Sequence, residues 1–324
     1  MDIKKQKMKT NIARYGLPSL LALAAALASV STSAHADQAL YVTNGSNTTI
    51  NQVSSTGTVS TFFTLPANNS IPFGLAFSSN GDLYVSEDDL NGAGTSPIIK
   101  ISGGVASTFV ALGNGKGPRG LAFDSSGNLY TAIDGPNSSN NQIWKITPGG
   151  SVSVLATMGP SFNPGWIAFD SSGNLYSSGN NNGNNSQIVK ITPAGGVTNF
   201  VSGLPGRFPS GLAFDSGGNL YVALSDVNQI DKITPSGSVS VFASNLPANA
   251  DPVALAFDGA NNLFVAESNL NQIQEITPGD VVTTFATGIT NPTSITFGPV
   301  PEPCTAFFGI ALCGLSVLRR RRRA

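Results

Sequence analysis

Residues 87 to 91 read EDDLN, the densest run of carboxylates in this 324-residue chain, and Glu267 stands at the matching place in a later copy of the same segment. Such donors suit a hard divalent cation such as calcium, which takes about six to eight of them. A metal held by Glu87, Asp88, Asp89 and Glu267 would generate a hydroxide nucleophile for hydrolysis without help from histidine. Neither the spacing nor a glycine in EDDLN fits a known calcium loop, so solvated turn carboxylates are the plainer reading.

A second set is aromatic and cationic. Phe73, Arg119 and Trp166 follow recurring prolines, where the chain otherwise prefers small residues. Their side chains offer stacking on a sugar ring, or a clamp for an acidic group. Local packing is the competing reading of the three.

Other chemistries are excluded by composition. The sole histidine, His35, lies near the amino terminus, and both cysteines, Cys304 and Cys313, lie near the carboxyl terminus. The central sequence therefore contains no Ser/His/Asp or Cys/His nucleophile, no histidine-ligated metal and no disulfide.

These candidates must be positioned by a repeat. Near-identical segments read GLAFDSSGNLYTA from Gly120, IAFDSSGNLYSS from Ile167 and GLAFDSGGNLYVA from Gly211. Each unit opens with a proline, at Pro72, Pro118, Pro164, Pro209, Pro252 and Pro292, with spacings of 46, 46, 45, 43 and 40 residues. A period in the forties with strand-like content predicts β-propeller blades of four antiparallel strands. In the unit from Pro209, GLAF, LYVAL, NQIDKI and VSVFA are the four strands A to D, separated by glycine and proline turns. Glycine or proline punctuates the chain too often for helices.

The two ends complete one another. PTSITF from Pro292 is a strand A with nothing after it, whereas Ala39 to Thr64 supply strands B, C and D with no A before them. Joining them in one sheet gives an all-β, six-bladed propeller closed one strand plus three, which removes the exposed edges of an open array. A monomer is expected.

In such blades the A–B and C–D loops share one end of the ring, and the B–C and D–A loops share the other. The first pair is monotonous, while B–C loops vary: EDDLNGAGTSP from Glu87, IDGPNSSNN from Ile133, GNNNGNNS from Gly179. Variation on a fixed frame marks the working face. Three residues after the strand B aromatic, at Asn44, Glu87, Ile133, Gly179, Leu224 and Glu267, side chains are expected to point toward the ring opening. The next positions are Gly45, Asp88, Asp134, Asn180, Ser225 and Ser268.

Flanking segments predict export. Residues 1–36 carry lysines, an apolar stretch and STSAHA, in which Ala34 and Ala36 fit a signal-peptide cleavage site, so the mature chain is expected to begin at Asp37. Residues 37–299 hold 7 Lys and Arg against 16 Asp and Glu, a net charge of minus nine. An acidic ring argues against nucleic acid as a partner. Residues 300–324 contain Pro301, Glu302 and Pro303, then a 15-residue apolar run, then Arg319, Arg320, Arg321, Arg322 and Arg323. As a helix that run is about 22 Å long, short for the roughly 30 Å hydrocarbon core of a membrane.

The tail resembles the PEP-CTERM sorting signal of exported bacterial proteins. That resemblance implies an exosortase as partner, a membrane-anchored stage, and release to the cell surface or the extracellular space. The core P-x-G-L-A-F-D-x-x-G-N-L-Y-V-A, ending in N-Q-I-x-K-I, resembles NHL-type six-bladed propellers over residues 39 to 297. In that wider group, lyases rely on histidine, which the ring lacks. Gluconolactonase-like members hold a divalent cation with a glutamate on an innermost strand, and no strand A here offers one. The resemblance thus implies architecture more strongly than activity. The reading is an exported surface or matrix propeller with a binding or structural role, associated with polysaccharide or surface proteins and needing no cofactor. A metal-dependent lactonase or hydrolase using calcium or another divalent cation is the alternative.

Overall fold

The computed structural model describes residues 38–299 apart from 67–69, 90–95, 114–116, 135–140, 160 and 182–185. The segments expected to be a signal peptide (1–36) and a sorting tail (300–324), and the middles of three B–C loops, lie outside the described residues. Within them, twenty-four strands form six four-stranded antiparallel sheets. Blade I joins β24 (Pro292–Phe297) to β1 (Leu40–Asn44), β2 (Thr49–Val53) and β3 (Val59–Thr64). Blade II is β4 (Ser70–Phe77), β5 (Leu83–Asp89), β6 (Ser96–Ser102) and β7 (Val105–Leu112); blade III is β8 (Gly117–Phe123), β9 (Leu129–Asp134), β10 (Gln142–Ile146) and β11 (Val152–Thr157). Blade IV is β12 (Phe162–Phe169), β13 (Leu175–Asn181), β14 (Ser186–Ile191) and β15 (Val197–Ser202). Blades V and VI run β16 (Pro209–Phe214), β17 (Leu220–Leu224), β18 (Gln229–Ile233), β19 (Val239–Ala243) and β20 (Pro252–Phe257), β21 (Leu263–Glu267), β22 (Gln272–Ile276), β23 (Val282–Thr287). Strand A of each blade touches strand A of the next from β4 through β8, β12, β16, β20 and β24 back to β4, so the ring is closed as the half-repeats predict.

The repeated letters are explained by packing between blades. The strand B aromatic of each blade meets, edge to face, the strand A phenylalanine of the next: Tyr41 with Phe77, Tyr84 with Phe123, Tyr130 with Phe169, Tyr176 with Phe214, Tyr221 with Phe257 and Phe264 with Phe297. All six steps of the ring use the same contact, which buries a large apolar area and adds the edge-to-face attraction of aromatic pairs. Buried aliphatic residues such as Leu83, Val85, Leu220 and Val222 fill the remaining interface.

The aspartate of F-D-x-x-G-N closes the A–B turn. Asp124 accepts from the backbone N–H groups of Ser126 and Asn128, from the Asn128 side chain and from the Tyr130 hydroxyl. Asp170 and Asp215 repeat the arrangement, and the strand C lysines Lys190 and Lys232 lie 5.2 and 5.4 Å over the strand B tyrosine rings, 3.7 and 3.9 Å from these aspartates. Burial pushes these carboxyls up, but the asparagine side-chain and backbone bonds outweigh it, and their pKa values fall below the ordinary range. The monotonous face is thus built of stability devices.

Candidate functional site at the ring mouth

Each blade-opening proline is followed by a register shift: Pro72/Leu75, Pro118/Leu121, Pro164/Ile167, Pro209/Leu212 and Pro252/Ala254. Proline has no N–H for the ladder, and a bulge beside it re-aims the residues that follow. Those residues are Phe73 in β4, Arg119 in β8, Gly165 and Trp166 in β12, Ser210 in β16 and Val253 in β20. Trp166 therefore stands one place later than expected: it occupies the register position of Gly74, Gly120 and Gly211, and Gly165 is the residue next to the proline. At those glycines an added Cβ would fall 2.4 Å from the Arg119 carbonyl oxygen, 2.9 Å from the Trp166 Cα and 2.6 Å from the Ala254 Cα, so neighbouring strands A run backbone against backbone.

Hydroxyls stitch these strands together. Ser86 Oγ donates to the Arg119 carbonyl at 2.7 Å and accepts from the Gly74 N–H at 2.8 Å; Ser178 Oγ donates to the Ser210 carbonyl at 2.8 Å and accepts from the Trp166 N–H at 3.3 Å. Thr43 does the same for Phe73, at 3.2 Å. These hydroxyls satisfy strand A carbonyl and N–H groups across blades and tie the framework beneath the site together.

The three aromatic and cationic candidates converge. The Phe73 ring is 5.0 Å from that of Trp166, and the Arg119 guanidinium lies 4.8 Å over the Phe73 ring. Phe73 itself is buried. Arg119 Nη2 is 3.0 Å from Asp134 Oδ2 and 3.9 Å from Asp88 Oδ2, so the cation expected to clamp an outside acid is already held by two carboxylates of its own chain. The Nε1 of half-buried Trp166 is shielded from solvent and has no hydrogen-bond partner within the protein.

Beside them opens a cavity of about 420 Å³, lined by Arg119, Asp134, Trp166, Asn163, Asn180, Phe208, Ser210, Ser225 and Val253 among others. Phe208, 55 % exposed, is a lining residue that the sequence reading missed. The signal was present: the residues before the other opening prolines are Ile71, Gly117, Asn163, Asp251 and Asn291, and none is aromatic.

The expected aim of the earlier strand B positions is corrected. Asn44, Glu87, Ile133, Leu224 and Glu267 are at most 2 % exposed and face the contacts between blades rather than the opening. Period-two alternation explains it, since Glu87 shares the face of Leu83 and Val85, and Glu267 that of Leu263 and Val265. The following positions, Asp88, Asp134, Asn180 and Ser225, are the ones that meet the mouth. Glu267 Oε2 accepts from Gln272 at 2.7 Å and from Gln274 at 3.5 Å, Oε1 is unpartnered, and burial pushes its pKa up against those two hydrogen bonds. The side chain of Asp89 lies outside the described residues. Among the described residues no three carboxylate, histidine or cysteine groups converge as metal ligands.

Fold and mouth together define a closed six-bladed propeller with an aromatic cavity over its central strands. Residues 100–302 match the model of the virginiamycin B lyase family, and the chain belongs to that family. Similar solved structures include virginiamycin B lyase from Staphylococcus aureus, with 23 % identity, a TM-score of 0.60 and coverage of 78 % of this chain and 81 % of that one. A streptogramin B lyase shows 24 % identity, a TM-score of 0.62 and coverage of 80 % and 84 %. A nidogen/laminin complex chain shows 20 % identity, a TM-score of 0.67 and coverage of 81 % and 99 %. At these identities the likeness concerns the fold. No curated protein sequence matches the chain.

Proposed function

We propose that this protein is an exported bacterial surface or matrix propeller that binds a polysaccharide in its mouth cavity. The observation that carries this reading is the placement of Trp166 and Phe208 in one cavity with Asn163, Asn180, Ser210 and Ser225. Aromatic faces stack on sugar rings, while amides and hydroxyls exchange hydrogen bonds with sugar hydroxyls. The cavity volume falls in the range of small-ligand sites, about 300–1,000 Å³. Export rests on the order of basic, apolar and small residues at one end, and of Pro301–Pro303, apolar run and arginines at the other. An exosortase is the partner that this tail implies.

The family favours an elimination reaction as the second reading. A histidine-to-alanine variant of the Staphylococcus aureus lyase is catalytically inactive, whereas the single histidine here, His35, precedes the repeat. Among the described residues at the mouth the candidate bases are carboxylates, and the two beside Phe73, Asp88 and Asp134, are engaged with Arg119.

The test is an oligosaccharide array probed with the purified ring, with mass spectrometry of each recovered ligand. Retention without cleavage, weakened about tenfold or more by Trp166→Ala or Phe208→Ala, is the expected result; tenfold corresponds to about 1.4 kcal/mol. Unchanged binding in a folded double variant would place the site elsewhere, and cleaved or unsaturated products would favour the lyase reading.

A further inference from the structure

Resting on that reading of the mouth, we propose that the cavity selects neutral or amino-bearing sugars and rejects uronic and sulfated ones. Charge decides this. Arg119 is the one cationic side chain among the described residues lining the cavity, and it is shared between Asp134 and Asp88 while lying flat over Phe73. Two carboxylates around one guanidinium leave the group net negative, so an incoming carboxylate or sulfate meets no free cation among the described residues lining the cavity. Walls of low dielectric strengthen the resulting repulsion.

No lysine among the described residues relieves it. Lys100, Lys145, Lys190 and Lys232 sit at the opposite end of the ring, over the rings of Tyr84, Tyr130, Tyr176 and Tyr221. Asp226 and Asp251 add carboxylates on the mouth side, in the loop after β17 and just before β20. Arg207 is a second cation on that side, outside the cavity lining; its backbone N–H donates to Asp226 at 2.8 Å, and Asp88, Asp134, Asp226 and Asp251 outnumber the two arginines. The groups left for a ligand are complementary to an uncharged or cationic sugar. Trp166 lines the cavity and offers its ring for stacking on an uncharged sugar, its Nε1 being shielded from solvent. Asp134 accepts from Arg119, and a carboxylate has lone pairs for a ligand hydroxyl or ammonium besides.

The experiment measures affinity of the purified ring for three defined probes of equal length: a cello-oligosaccharide, a chitosan oligosaccharide and an oligogalacturonate. The neutral or amino probe is expected to bind at least tenfold more tightly than the galacturonate. Asp134→Asn should narrow that ratio severalfold, Asp88→Asn should narrow it less, and Ser125→Ala on the far face should leave it alone. Raising salt toward half-molar should also narrow it in the unaltered protein, by screening the repulsion. Galacturonate binding as tight as the others, or a ratio unmoved by both salt and the two variants, overturns the selectivity. If that happens while Trp166→Ala still abolishes binding, the glycan site stands and only its charge preference is wrong. If none of the three probes binds, the glycan reading fails and takes this inference with it.

Discussion

Phe264 on β21 meets Phe297 on β24 edge to face, with ring centroids 5.2 Å apart and planes at 83°. Phe264 is fully buried, and Phe297 belongs to the strand that arrives from the far end of the chain to lie beside β1. This contact joins blade VI to blade I. Phe297→Ala is therefore expected to cost about 3 kcal/mol, in the range for large aromatic truncations in a core. Deleting residues 292 to 299 should be worse, because it also strips β1 of its ladder partner. Urea unfolding measures both; an unaltered midpoint for Phe297→Ala would mean the closing blade contributes little.

The close approach of neighbouring strands A gives a second expectation. A Cβ on Gly211 would lie 2.6 Å from the Ala254 Cα and 2.8 Å from the Leu255 backbone nitrogen, whereas at Gly259 nothing lies within 4 Å. Gly211→Val should lose about 3 kcal/mol by overpacking against backbone that has nowhere to go, and Gly259→Ala should change stability very little. Thermal unfolding of the pair checks the geometry directly.

Acid should weaken the repeated turns together. In Asp124, Asp170 and Asp215 burial raises the carboxyl pKa and the bonds from Asn128, Asn174 and Asn219 more than reverse it, so the folded value lies below the ordinary 3.8. The Lys100 hydrogen bond lowers Asp82 likewise. A depressed folded pKa means the stabilisation is present above the unfolded value and is lost as pH falls through the folded one. Melting temperature should hold from pH 6 to about pH 4 and then fall steeply below about 3.8. Asp124→Asn should reduce stability at pH 6 and flatten part of that fall.

Glu267 carries the opposite sign. Burial raises its pKa above the ordinary 4.5, against hydrogen bonds from Gln272 and Gln274. A raised carboxyl contributes most below the unfolded value, and its stability is lost as pH rises through the folded one. Glu267→Gln should raise the melting temperature by about 2–4 °C at pH 7, the shift expected for about 1 kcal/mol in a domain of this size, and change little at pH 4. A loss at pH 7 would indicate that the buried charge is compensated.

The amino-acid sequence by itself determined the strands, the blade count and the closure. Period-two alternation, turn chemistry and a proline every forty-odd residues are local signals, and PTSITF paired with the orphan strands from Ala39 needs only topology to be read. It also marked Phe73, Arg119 and Trp166, because each departs from its own repeat. The tertiary structure alone decided what those residues do to one another. That Arg119 lies on Phe73 and is held by Asp134 and Asp88 depends on neighbouring blades, forty-six residues apart at Pro72 and Pro118. That Glu267 is buried while Asp134 meets the mouth depends on a half-turn of the strand relative to blades that only exist once the ring has closed. Phe208 joins the cavity through a D–A loop held by Asn180, Ser186 and Asp226, residues far from it in sequence. Spacing along the chain encodes hydrogen-bonded elements, whereas a site at the ring mouth is made of contacts between blades.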